Sequence, residues 1–164
     1  MSEPLITFDG EVPGEWTDYN GHLRDAFYLL IFSYATDGLM ARIGLDTAGR
    51  EASGHSLFTL ECHLNFLHEV KQGERVEVHT RVLGHDHKRV HLYHSLYRRG
   101  GDAELAASEQ MLLHVDLAGP KSAPFEHAVA QRLSAFADRT QAMAPPQWVG
   151  RRIALPTDRA APPA

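Results

Sequence analysis

The chain has 164 residues, 43% of them hydrophobic and 23% charged, with a formal net charge of −5. That length and composition suit one domain with a sizeable core, and the negative balance argues against a general nucleic-acid binder, which would present a basic face. A single cysteine, Cys62, excludes an internal disulfide, no apolar run approaches the roughly 18 residues of a membrane span, and Met1–Pro4 carries no leader pattern, so the expected setting is the reducing cytoplasm, away from membranes.

Leu5 to Trp16 reads as extended, with Ile6, Phe8 and Val12 set among Gly10, Pro13 and Gly14, which suits a strand with a turn or bulge. A polar loop, Thr17 to His22, follows, and Gly21 in it can take backbone angles closed to other residues. The pattern then predicts a helix from Arg24 or Asp25 to Ile43, with Asp25 at its positive end and Gly44 as C-cap. Ala26, Phe27, Leu29, Leu30, Ile31, Phe32 and Ala35 leave this helix almost no polar face, so it is expected to be buried nearly all round.

Four strands are predicted next. In Leu57–Phe66, Phe58, Leu60, Cys62, Leu64 and Phe66 alternate with Thr59, Glu61, His63 and Asn65. Val76, Val78 and Val82 mark the buried face of a second strand, and Val90, Leu92 and Leu96 that of a third. Leu105, Ala107, Met111, Leu113 and Val115 read as the inward set of a fourth. Lys71–Glu74, Gly84–His87 and Arg99–Asp102 are expected to be the hairpin connections. Ala123–Ala137 predicts a second, amphipathic helix with Val129, Leu133 and Phe136 on one stripe. The order strand, buried helix, four antiparallel strands implies an α+β fold, a curved antiparallel sheet wrapped around a central helix.

That order matches the hotdog fold, and the match becomes specific at Glu15-Trp16-Thr17-Asp18-Tyr19-Asn20-Gly21-His22-Leu23 followed by Ala26-Phe27-Tyr28. This stretch resembles the loop that leads into the central helix of hotdog-fold acyl-CoA thioesterases. Phe58-Thr59-Leu60-Glu61, Lys88-Arg89-Val90-His91-Leu92, Glu109 to Asp116 and Gly150-Arg151-Arg152-Ile153 resemble the narrower betainyl-CoA thioesterase group of carnitine breakdown. The resemblance implies hydrolysis of a short acyl-CoA, betainyl-CoA first among candidates, with no metal or redox cofactor. A hotdog domain is expected over residues 1–144 and a tail over 145–164, its end from Thr157 onward mobile. A homodimer or dimer of dimers is expected, with sites at the subunit boundary. Related sequences usually carry Asn where this chain has Arg24, and a guanidinium cannot accept a hydrogen bond; another small acyl-CoA therefore stays open as substrate, as does a silent acyl-CoA-binding module.

Thioester hydrolysis needs a carboxylate that attacks the carbonyl or activates water, and donors for the oxyanion. Asp18, a few residues before the helix N-terminus, could meet the first need and the helix amides the second. Its alternative role is to order the turn through its side chain. Asn20 and His22 could position water or the thioester oxygen, or serve only as turn and hydrogen-bonding residues. Glu61 and Thr59 share the polar face of their strand and could reach a site across a subunit interface, or be merely solvated. Glu109 shares parity with Ala107 and Met111 and is expected to point inward, where a carboxylate needs a partner. Trp16, Tyr19 and Tyr28 could hold a quaternary ammonium, or simply pack. Lys88 and Arg89 could meet CoA phosphates, or be solvated. His91 and His94 have opposite parity, which argues against reading the histidines as a metal site.

Overall fold

A computed structural model describes residues 2–157; the mobility expected at the end of the tail concerns, from residue 158 onward, residues outside that range. Strand β1 (Leu5–Glu11) carries a register shift between Ile6 and Phe8, ahead of the glycines that suggested a turn or bulge. A single 3-10 turn, Gly14–Trp16, leads into the loop before helix α1 (Asp25–Ile43). Helix α1 starts with Asp25 in its first turn, where a carboxylate meets the positive end of the dipole. It stops at Gly44, whose φ of 91° favours glycine. A short helix, α2 (Thr47–Ser53), follows. It buries no residue, so no apolar periodicity announced it; its signals are caps, with Asp46 Oδ1 accepting from Gly49 N at 2.8 Å and Gly54 at the C-cap.

Strands β2 (His55–Phe66), β3 (Arg75–His85), β4 (Arg89–Arg98) and β5 (Glu104–Asp116) lie where alternation predicted them, followed by a two-residue strand β6 (Lys121–Ser122) and helix α3 (His127–Thr140). All pairings are antiparallel, in the order β1-β3-β4-β5-β2, with β6 on β5. The connections 86–88 and 99–103 are hairpins as expected. Lys71–Glu74 is not: β2 pairs with β5 at the far edge, so the chain after β2 crosses to β3. That crossing carries residues 67–74 past the start of α1, where Leu23 N donates to Val70 O at 2.7 Å.

Helix α1 lies on the concave face. Ile31, Phe32, Ala35, Leu39 and Ile43 are fully buried in it, and each of the larger ones contributes about 2 kcal/mol by leaving water. The expectation of burial nearly all round is corrected: Ala26, Leu29, Ser33 and Tyr34 form an exposed flank, because within one chain the sheet covers only one side. Val129, Leu133 and, partly buried, Phe136 of α3 pack into the same core beyond the C-terminal end of α1, as their stripe predicted.

Two face assignments are also corrected. In β5 Leu105 lies in the core as expected, but past the irregularity beside it the core-facing residues are Ala106, Ser108, Gln110, Leu112 and His114, while Glu109, Met111 and Leu113 face outward and are only partly covered. The inner face is polar enough that hydrophobic parity pointed the wrong way. In β2 an extra residue between Thr59 and Glu61 pairs them with Leu112 and Met111, on opposite faces, so they do not share one. The same bulge leaves Phe58 outward, beside Leu113.

The polar inner positions form a continuous chain of hydrogen bonds. Thr36 Oγ1 donates to Phe32 O (3.1 Å), so it accepts from His94 Nε2 (3.0 Å). His94 Nδ1 then accepts from Thr80 Oγ1 (2.7 Å), which accepts from Thr7 Oγ1 (2.7 Å). Every proton has an acceptor, and α1 is tied to β4, β3 and β1. Burial pushes the His94 imidazole down to about 3, so it is neutral in the folded protein. As sequence parity required, His91 faces the other side of β4.

Two consequences are measurable. A Cβ at Gly38 would collide with the backbone oxygen of Thr7, where α1 rests on β1; Gly38→Ala is expected to lower stability by about 1–3 kcal/mol in denaturant titrations. An unfolded histidine titrates near 6.5 and the folded His94 well below it. The unfolded chain therefore binds the proton that the folded chain refuses. The contribution of His94 is complete above pH 6.5 and is lost as pH falls from there towards about 3. In NMR titrations the His94 ring should keep neutral-imidazole shifts down to acid unfolding.

Candidate active site

The loop before α1 is organised by Asp18. Its Oδ1 accepts from Asn20 N at 2.8 Å and from His22 N at 3.1 Å, and its own N–H donates to His22 O at 2.9 Å. Gly21, with a φ of 75°, closes the turn by donating to Asp18 O at 3.0 Å. The turn-ordering role considered for Asp18 is therefore real. It does not exhaust the carboxylate, because both bonds fall on Oδ1 and neither uses Oδ2. The His22 amide, seconded by that of Asn20 and opposed by partial desolvation, holds the Asp18 carboxyl below the usual carboxylate range, so the group is ionised at neutral pH.

Around it, Arg24 is the N-cap residue of α1 but its side chain makes no cap bond; Arg24 Nε instead donates to Thr17 O at 3.4 Å. A guanidinium cannot accept, so only the backbone oxygen of Arg24 serves the first turn, taking Phe27 N at 3.0 Å. Within the first turn, Ala26 N donates to Asp25 Oδ1 at 2.8 Å. His22 Nε2 lies 3.4 Å from Glu69 Oε2, on the segment brought in after β2. A cavity of about 320 Å³ opens beside this point, lined by Leu23, Asp25, Tyr28, Phe66, His68 and Glu69 among others. Tyr28 is buried, its hydroxyl donates to His68 O at 3.2 Å, and its ring meets Phe66 edge to face at 5.1 Å.

The structure thus gathers Asp18, Asn20, His22, Arg24 and Tyr28 at one end of α1. Trp16 is nearby, but its ring stacks on Phe27 at 5.7 Å and leans on Tyr34 at 6.4 Å, a packing arrangement. Tyr19 stands out from the loop, 93% exposed. Lys88 and Arg89 sit at the β3–β4 turn, where Lys88 Nζ donates to Ser122 Oγ at 3.4 Å and Arg89 pairs with Asp86 at 3.5 Å. That turn is a full strand length from the Asp18 loop. Glu61 lies on the outer face of the sheet with His63, His91, Glu109 and Arg151 around a cavity of about 130 Å³. The inward placement expected of Glu109 is overturned: Glu109 Oε1 is 3.3 Å from His91 Nε2, and Oε2 accepts from Gly150 N at 2.6 Å. Thr59 is exposed on β2, across the bulge from Glu61.

Asp25, Phe66, His68 and Glu69 were not among the sequence candidates. No local pattern marks the last three, since only the long crossing from β2 to β3 brings them to α1; Asp25 was read only as a cap or first-turn acid at the positive end of the helix.

Comparison with known proteins agrees with this architecture. Residues 12–133 match the model of the thioesterase-like superfamily. The chain is 64% identical over 159 residues to the betainyl-CoA thioesterase of Pseudomonas aeruginosa PAO1, covering 97% of this chain and all of that one. Among solved structures it resembles a candidate thioesterase from Pseudomonas putida KT2440, with 56% identity, a TM-score of 0.82 and coverage of 93% and 97% of the two chains. It also resembles a Staphylococcus aureus protein solved in complex with CoA, 26% identical with a TM-score of 0.86 over 94% of this chain and 98% of that one. With a family match over most of its length and a curved antiparallel sheet around one helix, the chain belongs to the thioesterase-like superfamily and is a hotdog-fold acyl-CoA thioesterase.

Proposed function

We propose that this chain hydrolyses betainyl-CoA to betaine and CoA, and that Asp18 is the carboxylate that attacks the thioester carbonyl or takes a proton from the attacking water. The near-full-length similarity to a betainyl-CoA thioesterase supports the substrate. One observation carries the chemistry: an ionised carboxylate with a free oxygen, held in the loop that leads into the positive end of α1. The Asp25 amide at the positive end of this 19-residue helix would stabilise the oxyanion as it forms, since Ala26 N is taken by Asp25 Oδ1 and Phe27 N by Arg24 O. The carbon–sulfur bond then breaks, and the CoA thiolate leaves and takes up a proton that came from water; where Asp18 itself attacks, water then hydrolyses the mixed anhydride and frees the carboxylate. Arg24, at the position where related sequences usually carry Asn, favours a second reading in which another small acyl-CoA is preferred.

The working unit is proposed to be a homodimer or a dimer of dimers in the cytoplasm. β2 is a 12-residue edge strand, paired on one side only, and it exposes Phe58 (45%), Leu60 (56%) and Phe66 (52%). A long, apolar, unpaired edge invites pairing with a second copy. Such pairing would also cover apolar surface near the Asp18 loop and offer a route by which the partner's β3–β4 turn, with Lys88 and Arg89, meets the CoA phosphates. Light scattering at micromolar protein should give at least a dimer, and Leu60→Lys should shift it towards monomer with loss of turnover; a fully active monomer would refute the assembly.

Thiol release from betainyl-CoA, acetyl-CoA and a medium-chain acyl-CoA tests the substrate. Betainyl-CoA should be turned over fastest, and binding of all three without release would mean a silent module. Asp18→Asn keeps an acceptor for the Asn20 and His22 amides, so the loop should survive while turnover falls by about 100-fold or more. A folded variant within a few-fold of the parent would place the catalytic carboxylate elsewhere.

A further inference from the structure

We infer that the cavity at the start of α1 selects a quaternary ammonium acyl group, with Tyr28 and Phe66 supplying aromatic surface and Asp25 and Glu69 the compensating negative charge. The inference rests on the betainyl-CoA reading and assigns the part of the site that would tell that substrate from a neutral one of equal size.

A trimethylammonium group has no N–H to donate, so hydrogen bonds cannot recognise it. Aromatic surface and nearby negative charge can. The residues lining this cavity supply both, and none of them is a lysine or arginine. The Tyr28 ring is held in place by its hydroxyl bond to His68 O and by Phe66. Burial pushes its phenol upward, with the neighbouring Glu69 adding to the effect, so it stays neutral. Phe66 remains about half exposed, leaving part of its ring free for a ligand. Trp16, the other aromatic candidate, already has a ring face stacked on Phe27.

Position makes the same point. In betainyl-CoA the charged nitrogen is only two bonds from the reacting carbonyl, so its subsite must adjoin the catalytic carboxylate. His22 alone links the cavity to that carboxylate: Glu69 lies 3.4 Å from its ring, and its amide is a donor to Asp18. Asp18, His22 and Glu69 form one contiguous run from the reacting end to the cation end. Cavity volume is not limiting, at about 320 Å³ for a group of four heavy atoms beyond the methylene.

The test compares betainyl-CoA with tert-butylacetyl-CoA, which replaces the charged nitrogen by carbon and keeps the shape. The readout is the ratio of their kcat/KM values in the full-length protein, the Asp25→Asn/Glu69→Gln double variant and Phe66→Leu. The parent should favour betainyl-CoA, and the ratio should fall by about tenfold in each variant as the charge or the aromatic surface is removed. Asp25 and Glu69 are exposed, so the double variant decides the matter even if Phe66→Leu proves unstable. A parent-like ratio in the double variant would overturn the inference and leave the betainyl-CoA reading standing. A parent that turns over tert-butylacetyl-CoA but not betainyl-CoA would sink both.

Discussion

The position of α1 is set by the buried chain Thr7–Thr80–His94–Thr36, and the candidate site depends on that position. Apolar contacts hold the helix against the sheet, but they tolerate sliding, since one methyl resembles another. Hydrogen bonds to both ring nitrogens of a fully buried imidazole do not, because each broken bond leaves a polar atom in a dry core. Gly38 adds a steric stop where α1 rests on the backbone of β1. With α1 fixed along its axis, its first turn is fixed too, and so is the loop that feeds it.

The site itself is an arrangement of charge around that first turn. Asp18 is kept ionised by two amides on one oxygen, leaving the other free. Asp25 and Glu69 add two more carboxylates beside a helix start whose partial charge is positive. A thioester with a cationic acyl group needs both signs within a few bonds: positive potential at the carbonyl oxygen and negative potential at the ammonium. The start of α1 offers the first and its acidic, aromatic neighbours the second.

The outer face of the sheet is engaged by the last residue of α3 and the residues that follow it. Arg81 donates to Ala144 O (2.8 Å) and Thr140 O (3.1 Å), and Glu109 accepts from Gly150 N. Tyr93, on this face, is buried and donates to Glu104 at 2.7 Å. These contacts explain a paradox of the pattern. In β4 and β5 Tyr93, Met111 and Leu113 lie outside, whereas His94, Ser108 and Gln110 lie within.

The sequence by itself determined the elements whose signals are local. Alternation located β2 to β5, Asp25 and Gly44 bounded α1, and the motif from Trp16 to Tyr28 carried the family and the Asp18 loop. These are legible because period, caps and turn glycines act over a few residues. Tertiary structure alone decided the rest. Polar core positions such as Ser108 and Gln110 reversed the apparent face of β5, so Glu109 came out rather than in. One extra residue at Leu60 put Thr59 and Glu61 on opposite faces. The crossing from β2 to β3 brought Glu69 to His22, and Phe66 and His68 to Tyr28, from a distant part of the chain. A hydrophobic pattern records which residues avoid water; it does not record which strand lies beside which, and that adjacency is what builds the site.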